Sequence, residues 1–110
     1  MIIGRLDRLI EIQYPSRAKN TFGEETVVWK LHARVWAQAQ PLQALERFKA
    51  AQERESKVYT FRLRYVKGVK SDMRVYHDSQ SYRILGIAEL GRREGLELTA
   101  EYFEGTDGGP

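Results

Sequence analysis

Apolar and polar residues alternate along most of the chain, and a period of two residues predicts β-strands with one buried face. The alternation is clearest at residues 57–65, where the apolar face carries Tyr59, Phe61, Leu63 and Tyr65. The same pattern, interrupted by turn-forming residues, predicts further strands at 6–14, 26–29, 33–40, 73–77, 81–87 and 96–102. We therefore expect a mainly β protein, a small β-barrel or sandwich of six to seven antiparallel strands.

Turn-forming residues predict where these strands end. Pro15 cannot donate a hydrogen bond to a sheet, so it should end the first strand. The pair Asp78-Ser79 should form a hairpin turn, and Gly86 within a strand indicates a bulge or a bend. Residues 104–110 lack apolar side chains and should form a disordered tail. That leaves 1–103 as a single domain.

Residues 41–55 follow a different period. Pro41 suits the first turn of a helix, and a run of good helix formers follows it. Apolar side chains recur there at helical spacing, at Leu42, Leu45 and Phe48. The pattern predicts a helical insertion between two strands. Its apolar stripe either packs on the sheet or, as a hypothesis, forms a partner or subunit interface.

Composition narrows the class of protein. With 110 residues the chain has room for one domain. It contains no cysteine, so disulfides and thiolate chemistry are ruled out. Charged residues interrupt the first eight positions before any signal-peptide core forms, and no apolar run approaches the ~20 residues of a membrane span. We expect a soluble protein made in a cytoplasm, with no membrane partner.

Positive charge is concentrated in one segment. The formal net charge is +3, yet residues 49–74 hold eight basic and three acidic side chains. Four of the basic residues extend one strand face into the following loop: Arg62, Arg64, Lys67 and Lys70. As a hypothesis they form a face directed at DNA or at a partner, although arginine and lysine are also ordinary on a solvent face. The aromatic residues of the strand fall on its opposite face, unlike those of OB or RRM modules.

No pattern predicts catalysis or a cofactor. His32 and His77 are far apart in a chain without cysteine, whereas a zinc site needs three or four ligands. Ser79, His77 and Asp78 could be named as a triad, but a hairpin turn explains the same three neighbours. The segment at residues 86–91 lacks the spacing of a phosphate loop. We therefore predict no enzyme, no catalytic residues, no metal site and no cofactor.

A series of motifs in order along the chain is similar to one known family. They are GRLDRLIEIQ at residues 4–13, NTFGE at 20–24, TVVW at 26–29, ARVWAQ at 33–38, TFRLRY at 60–65, DMRV at 72–75, YRILGI at 82–87 and LEL at 96–98. Each is weak alone, but their order and spacing resemble the head-tail joining proteins of long-tailed phages and prophages, the head closure or stopper family. The resemblance covers about residues 4–102.

The resemblance implies a small β-barrel with a long central excursion carrying helix, and no catalytic residues. It implies a structural virion protein assembled in a bacterial cytoplasm, whose copies form a homo-oligomeric ring in the capsid-tail connector and can be monomeric in isolation. The implied partners are the portal or adaptor protein, a tail or tail-completion protein and the packaged double-stranded DNA in the channel. Such a ring connects the head to the tail and helps retain DNA.

Two other functions remain open at this point. The first is a small basic β-barrel module that binds nucleic acid through Arg62, Arg64, Lys67 and Lys70. The second is a small enzyme whose site does not show in the sequence. Tight, salt-dependent binding to free DNA would favour the nucleic-acid module over a ring subunit.

Overall fold

The computed structural model describes residues 5–42 and 58–103. Six β-strands cover most of this part of the chain: β1 Arg8–Lys19, β2 Glu25–Pro41, β3 Val58–Arg64, β4 Arg74–His77, β5 Gln80–Leu90 and β6 Gly95–Phe103. The predicted mainly β, antiparallel fold is confirmed. Of the segment predicted to be helical, 41–55, residues 43–55 fall outside the described part.

The six strands form one antiparallel sheet that closes on itself. Their order is β1-β2-β3-β6-β5-β4, and β4 returns to β1 by pairing Arg74–Tyr76 with residues 11–13. Closure places one face of each strand inside the ring, so that side chains along a strand point alternately into the interior and out to the surface. The six largest fully buried side chains of the described residues lie in this interior: Ile10, Ile12, Phe61, Leu63, Val75 and Leu98. The apolar face predicted for 57–65 is therefore the core face of β3.

β1 and β2 extend well beyond the closed ring as a two-stranded antiparallel ribbon. β4 pairs with β1 only at residues 11–13, and β3 pairs with β2 only from Ala37 onward. In the rest of the hairpin, residues 13–19 and 25–31, the two strands pair only with each other, except that Gln13 also pairs with Arg74; we call this part the ribbon. His32 is an extra residue in β2, because Ile12 pairs with Ala33 while Gln13 pairs with Leu31. This bulge lies where the ribbon leaves the ring.

Two proline-based boundaries were wrong. Pro15 does not end β1; it pairs with Trp29 inside the ribbon. A sheet edge tolerates proline, and β1 has no second neighbour at this position among the described residues. Pro41 does not open a helix; it is the last residue of β2 and pairs with Tyr59. The strands predicted separately at 26–29 and 33–40 are parts of the single strand β2. β1 pairs with β2 from Glu25 to Ala37, across the gap between the two predicted strands.

The predicted turns are confirmed. Asp78 and Ser79 both have positive φ, 54° and 64°, and they join His77 to its partner Gln80 in a two-residue hairpin loop. Such loops favour two left-handed residues because their twist matches that of the flanking strands. Gly86 lies at a register shift in β5, where Ile84 pairs with Ala100 and Gly86 with Thr99. Leu85 is therefore the extra residue of a β-bulge.

The hairpin loop leads to a stability prediction. Replacing Ser79, held at a φ of 64°, with glycine should raise the free energy of unfolding by about 1 kcal/mol, because a Cβ is disfavoured in the left-handed region. Urea denaturation measures this change. Ser71→Gly is the matched control, since Ser71 is not among the positive-φ residues and its substitution should not stabilise. A Ser79→Gly protein no more stable than the wild type would contradict the prediction.

Candidate functional surfaces

Both histidines are held by backbone carbonyls. His32 Nε2 lies 2.9 Å from the carbonyl oxygen of Lys67, and His77 Nδ1 lies 3.3 Å from that of Leu9. The His77 ring also packs edge-on against Phe61. Within residues 5–42 and 58–103, no group of three or more histidine or acidic side chains is arranged to hold a metal ion. The two histidines therefore connect loops and strands.

Tyrosine and phenylalanine side chains cluster inside the ring. Tyr82 is the centre of this cluster, with ring centroids 5.3 Å from Phe61, 5.6 Å from Tyr59 and 6.0 Å from Tyr102. Burial, reinforced by Tyr59, Asp78 and Tyr102, raises the pKa of Tyr82 above its usual value. Its hydroxyl donates to Gln80 Oε1 at 3.0 Å, so it is neutral and hydrogen-bonded. The cluster is packing that holds β3, β5 and β6 together.

The predicted basic face is exposed but contains carboxylates. Arg62 and Arg64 lie on the outer face of β3, and Lys67 and Lys70 lie in the exposed loop that follows. Arg62 Nε donates to Glu97 Oε2 at 2.8 Å across the β3–β6 pair. Similar cross-strand pairs join Arg34 to Glu11 and Arg83 to Glu101. The outer surface is therefore a mixture of both signs, and the role of these basic residues in contacting DNA or a partner stays a hypothesis.

Leu42 is the one described member of the predicted stripe Leu42, Leu45 and Phe48. It is half-buried, and its backbone N–H donates to the carbonyl oxygen of Val58 at 2.9 Å. This bond holds together the two points where the insertion joins the ring. Leu45 and Phe48 lie outside the described residues, so their proposed role at an interface stays a hypothesis.

The ribbon exposes apolar side chains that the sequence analysis did not single out. Phe22 at its tip is 88% exposed, and Val27, Val28 and Leu31 on β2 are exposed as well. Asn20 fixes the tip, because its Oδ1 accepts hydrogen bonds from the backbone N–H groups of Phe22 and Glu24 at 2.9 and 3.0 Å. A large aromatic side chain on an ordered loop loses little entropy on binding, which is typical of contact sites. The continuous run of β-forming residues from 26 to 40 could have predicted one long strand, and with it a projecting ribbon.

A buried arginine fixes the base of the ribbon. Arg74 at the start of β4 is only 4% exposed. Its Nε donates to Gln13 Oε1 at 2.7 Å, and its guanidinium carbon lies 4.4 Å from the centre of the Trp29 ring. Gln13 and Trp29 belong to the two strands of the ribbon, so one cation connects both to the ring. The ribbon is therefore anchored to β4 by side chains as well as by its backbone.

The ring has two distinct ends. At one end, which we call the insertion end, β2 finishes at Pro41 and β3 begins at Val58, beside the β4–β5 turn. At the other, the ribbon end, lie the ribbon, the β3–β4 loop and the β5–β6 turn. Because neighbouring strands run antiparallel, the register places these two groups of loops at opposite ends of the barrel. The molecule therefore offers two separate surfaces.

Two solved structures share the fold. One is a Shigella flexneri 2a protein solved in solution, with a TM-score of 0.72 and 22% identity; the match covers 94% of this chain and 98% of that one. The other is a chain in the virion of a native gene transfer agent particle, with a TM-score of 0.64 and 23% identity; the match covers 92% of this chain and 98% of that one. No curated protein matches. No described helix is long and apolar enough to cross a membrane.

A family model identifies the chain more specifically than these structural likenesses. The model described as phage head completion protein matches residues 1–102, nearly the full length of the 110-residue sequence. The match spans the ribbon and all six strands, and it ends one residue before the end of β6. This chain therefore belongs to the phage head completion protein family.

Proposed function

We propose that the chain is a ring-forming head closure, or stopper, subunit that connects the portal or adaptor complex of a phage capsid to the tail and helps retain packaged DNA. Membership of the head completion family makes it a structural protein of the phage virion. The ring, its neighbours and DNA retention go beyond that membership. They rest on the surfaces described above.

The observation that carries the proposal is that the two ends of the barrel differ. The insertion leaves and rejoins the ring at one end, closed by the hydrogen bond between Leu42 and Val58. The ordered tip with Phe22 projects from the other end, on a ribbon anchored by Arg74. A subunit between two different partners needs two different binding surfaces on opposite sides, and this arrangement supplies them. We assign the insertion, with Leu42, Leu45 and Phe48, to one neighbour and the ribbon tip to another.

The basic residues have a more limited place in this proposal. Arg64, Lys67 and Lys70 have no ion-pair partner within the described part of the chain, whereas Arg62 is paired with Glu97. A mixed surface of this kind suits contact with neighbouring proteins and with DNA already confined in a channel. It does not favour an independent nucleic-acid module, because the Glu97 carboxylate beside Arg62 repels phosphates.

The experiment is deletion of the gene from the particle-producing genome that carries it. We expect heads and tails to be made but not joined, with heads losing DNA, because a missing connector prevents the last assembly step. Electron microscopy of the lysate and nuclease sensitivity of packaged DNA measure these effects. The wild-type gene supplied in trans is the control and should restore tailed particles. Tailed, DNA-filled particles from the deletion strain would refute the proposed function.

A further inference from the structure

Two strands of the sheet have long open edges. β2 pairs only with β1 over residues 25–36, since its pairing with β3 starts at Ala37. β5 pairs only with β6 over residues 84–90, since its pairing with β4 ends at Arg83. Among the described residues, neither edge has a second strand neighbour. Each edge therefore presents backbone N–H and C=O groups that another strand could pair with.

The composition of these edges differs from that of the third open edge, on β1. Residues 14–19 of β1 carry Pro15, Arg17 and Lys19, and proline and charge are the usual means by which an edge strand avoids pairing. The open parts of β2 and β5 contain no proline. Each exposes aliphatic side chains, with Leu31 51% exposed on β2 and Leu85 53% exposed on β5. Outside the bulges at His32 and Leu85, these two edges, which lack proline, are better suited than the β1 edge to accept another strand.

The two edges carry opposite charges. Lys30 is exposed on the open part of β2, and Glu89 is exposed on that of β5. Neither makes an ion pair within the described residues, although nearby Arg17, Arg34 and Arg83 are each paired with a glutamate. Two different edges of one chain thus match each other in hydrogen-bonding capacity, in apolar surface and in charge.

We propose that the open edge of β2 in one copy pairs with the open edge of β5 in the next copy, with Lys30 and Glu89 attracting each other across the contact. Two paired copies then retain one unused β2 edge and one unused β5 edge between them, so the contact propagates from head to tail and closes as a ring when the rotation permits. The occupant of each edge is a second copy of this chain. The inference rests on the ring-forming subunit proposed above and names the surface that forms the ring.

A charge exchange tests the contact in the purified full-length chain. We expect the wild type to self-associate in sedimentation velocity at about 1 mM, a concentration that reveals even a weak contact. Lys30→Glu and Glu89→Lys should each weaken association by about tenfold or more, since they place like charges together. The protein carrying both changes should regain most of the association. Lys19→Glu, on the protected β1 edge, is the matched control and should associate like the wild type.

Mixing two edge variants tests whether the two edges meet each other. Leu31→Lys should disable the β2 edge and Ile87→Lys the β5 edge, so each protein alone should be monomeric. Because each retains one intact edge, a mixture of the two should form a one-to-one dimer. Thermal unfolding of both variants, expected near the wild-type temperature because the sites are exposed, shows that they are folded.

Three results would overturn the edge assignment: a wild type that stays monomeric at about 1 mM, a double charge variant that associates no better than the single ones, or a mixture that stays monomeric. Association that persists in both edge variants would also overturn it, and would assign the ring to another surface. These failures differ from that of the proposed function, which depends on whether the deletion strain still makes tailed particles.

Discussion

Phe61→Ala should lower the free energy of unfolding by about 3–5 kcal/mol, a large part of the ~5–15 kcal/mol that holds a typical domain folded. Phe61 is fully buried in the ring interior, in contact with Tyr82, Tyr59 and His77. These residues come from β3, β4 and β5, so the cavity would open where three strands meet. Denaturant unfolding followed by tryptophan fluorescence measures the loss.

Two further variants make this expectation specific. Phe61→Leu keeps most of the volume and should cost clearly less than Phe61→Ala. Phe22→Ala removes the same side chain from the ribbon tip, where it is 88% exposed, and should change stability by no more than about 0.5 kcal/mol. If Phe22→Ala were as costly as Phe61→Ala, the tip would pack against the domain and would not be available to a partner.

Arg74→Ala should cost about 2–3 kcal/mol, because a charged hydrogen bond to Gln13 and the stacking on Trp29 are both lost from a site only 4% exposed. The effect should be largest in the ribbon, since Gln13 and Trp29 are its residues. Amide hydrogen exchange should become faster at residues 13–19 and 25–31 and change little in β6. Denaturant unfolding gives the global cost.

The comparison for this variant is Arg83→Ala. Arg83 pairs with Glu101 at 3.7 Å on the outer surface, where both side chains are well exposed, so its loss should cost at most about 1 kcal/mol. Equal effects of the two substitutions, or unchanged exchange in the ribbon of Arg74→Ala, would show that Arg74 does not anchor the ribbon.

The ribbon and the open edges together relate the fold to assembly. A closed barrel removes most sheet edges, yet this barrel keeps two open edges without proline, on β2 and β5, and a third on β1 that carries Pro15, Arg17 and Lys19. Assembly of several copies into an oligomeric ring through the open edges would leave the tip with Phe22 and the insertion end available to other virion proteins. The proposed self-association and the proposed docking surfaces are therefore compatible on one small domain.

Local patterns predicted the interior well. Alternation at 57–65 identified Phe61 and Leu63 as core residues, and the pair Asp78-Ser79 and the glycine at 86 predicted a turn and a bulge that the structure contains. These features depend on side-chain periodicity and backbone freedom within a few residues. The motifs in their order along the chain also identified the family that the comparison later confirmed.

The surfaces were less predictable because they depend on strand partners. Pro15 predicted the end of a strand, but β1 continues past it because one side has no neighbour there. The positive stripe of Arg62 and Arg64 looked uniform, but Glu97 lies opposite Arg62 on β6, 35 positions away. Nothing in the local pattern of β3 shows which strand will pair with it.

The class of fold, the core face of β3, the tight turns and the family follow from the residue pattern along the chain and were predictable without coordinates. The projecting ribbon of β1 and β2, its anchor at the buried Arg74, and the open edges of β2 and β5 became visible in the folded structure alone. This is because an edge is defined by a missing neighbour. Which strands lack one depends on the register and length of all six strands at once.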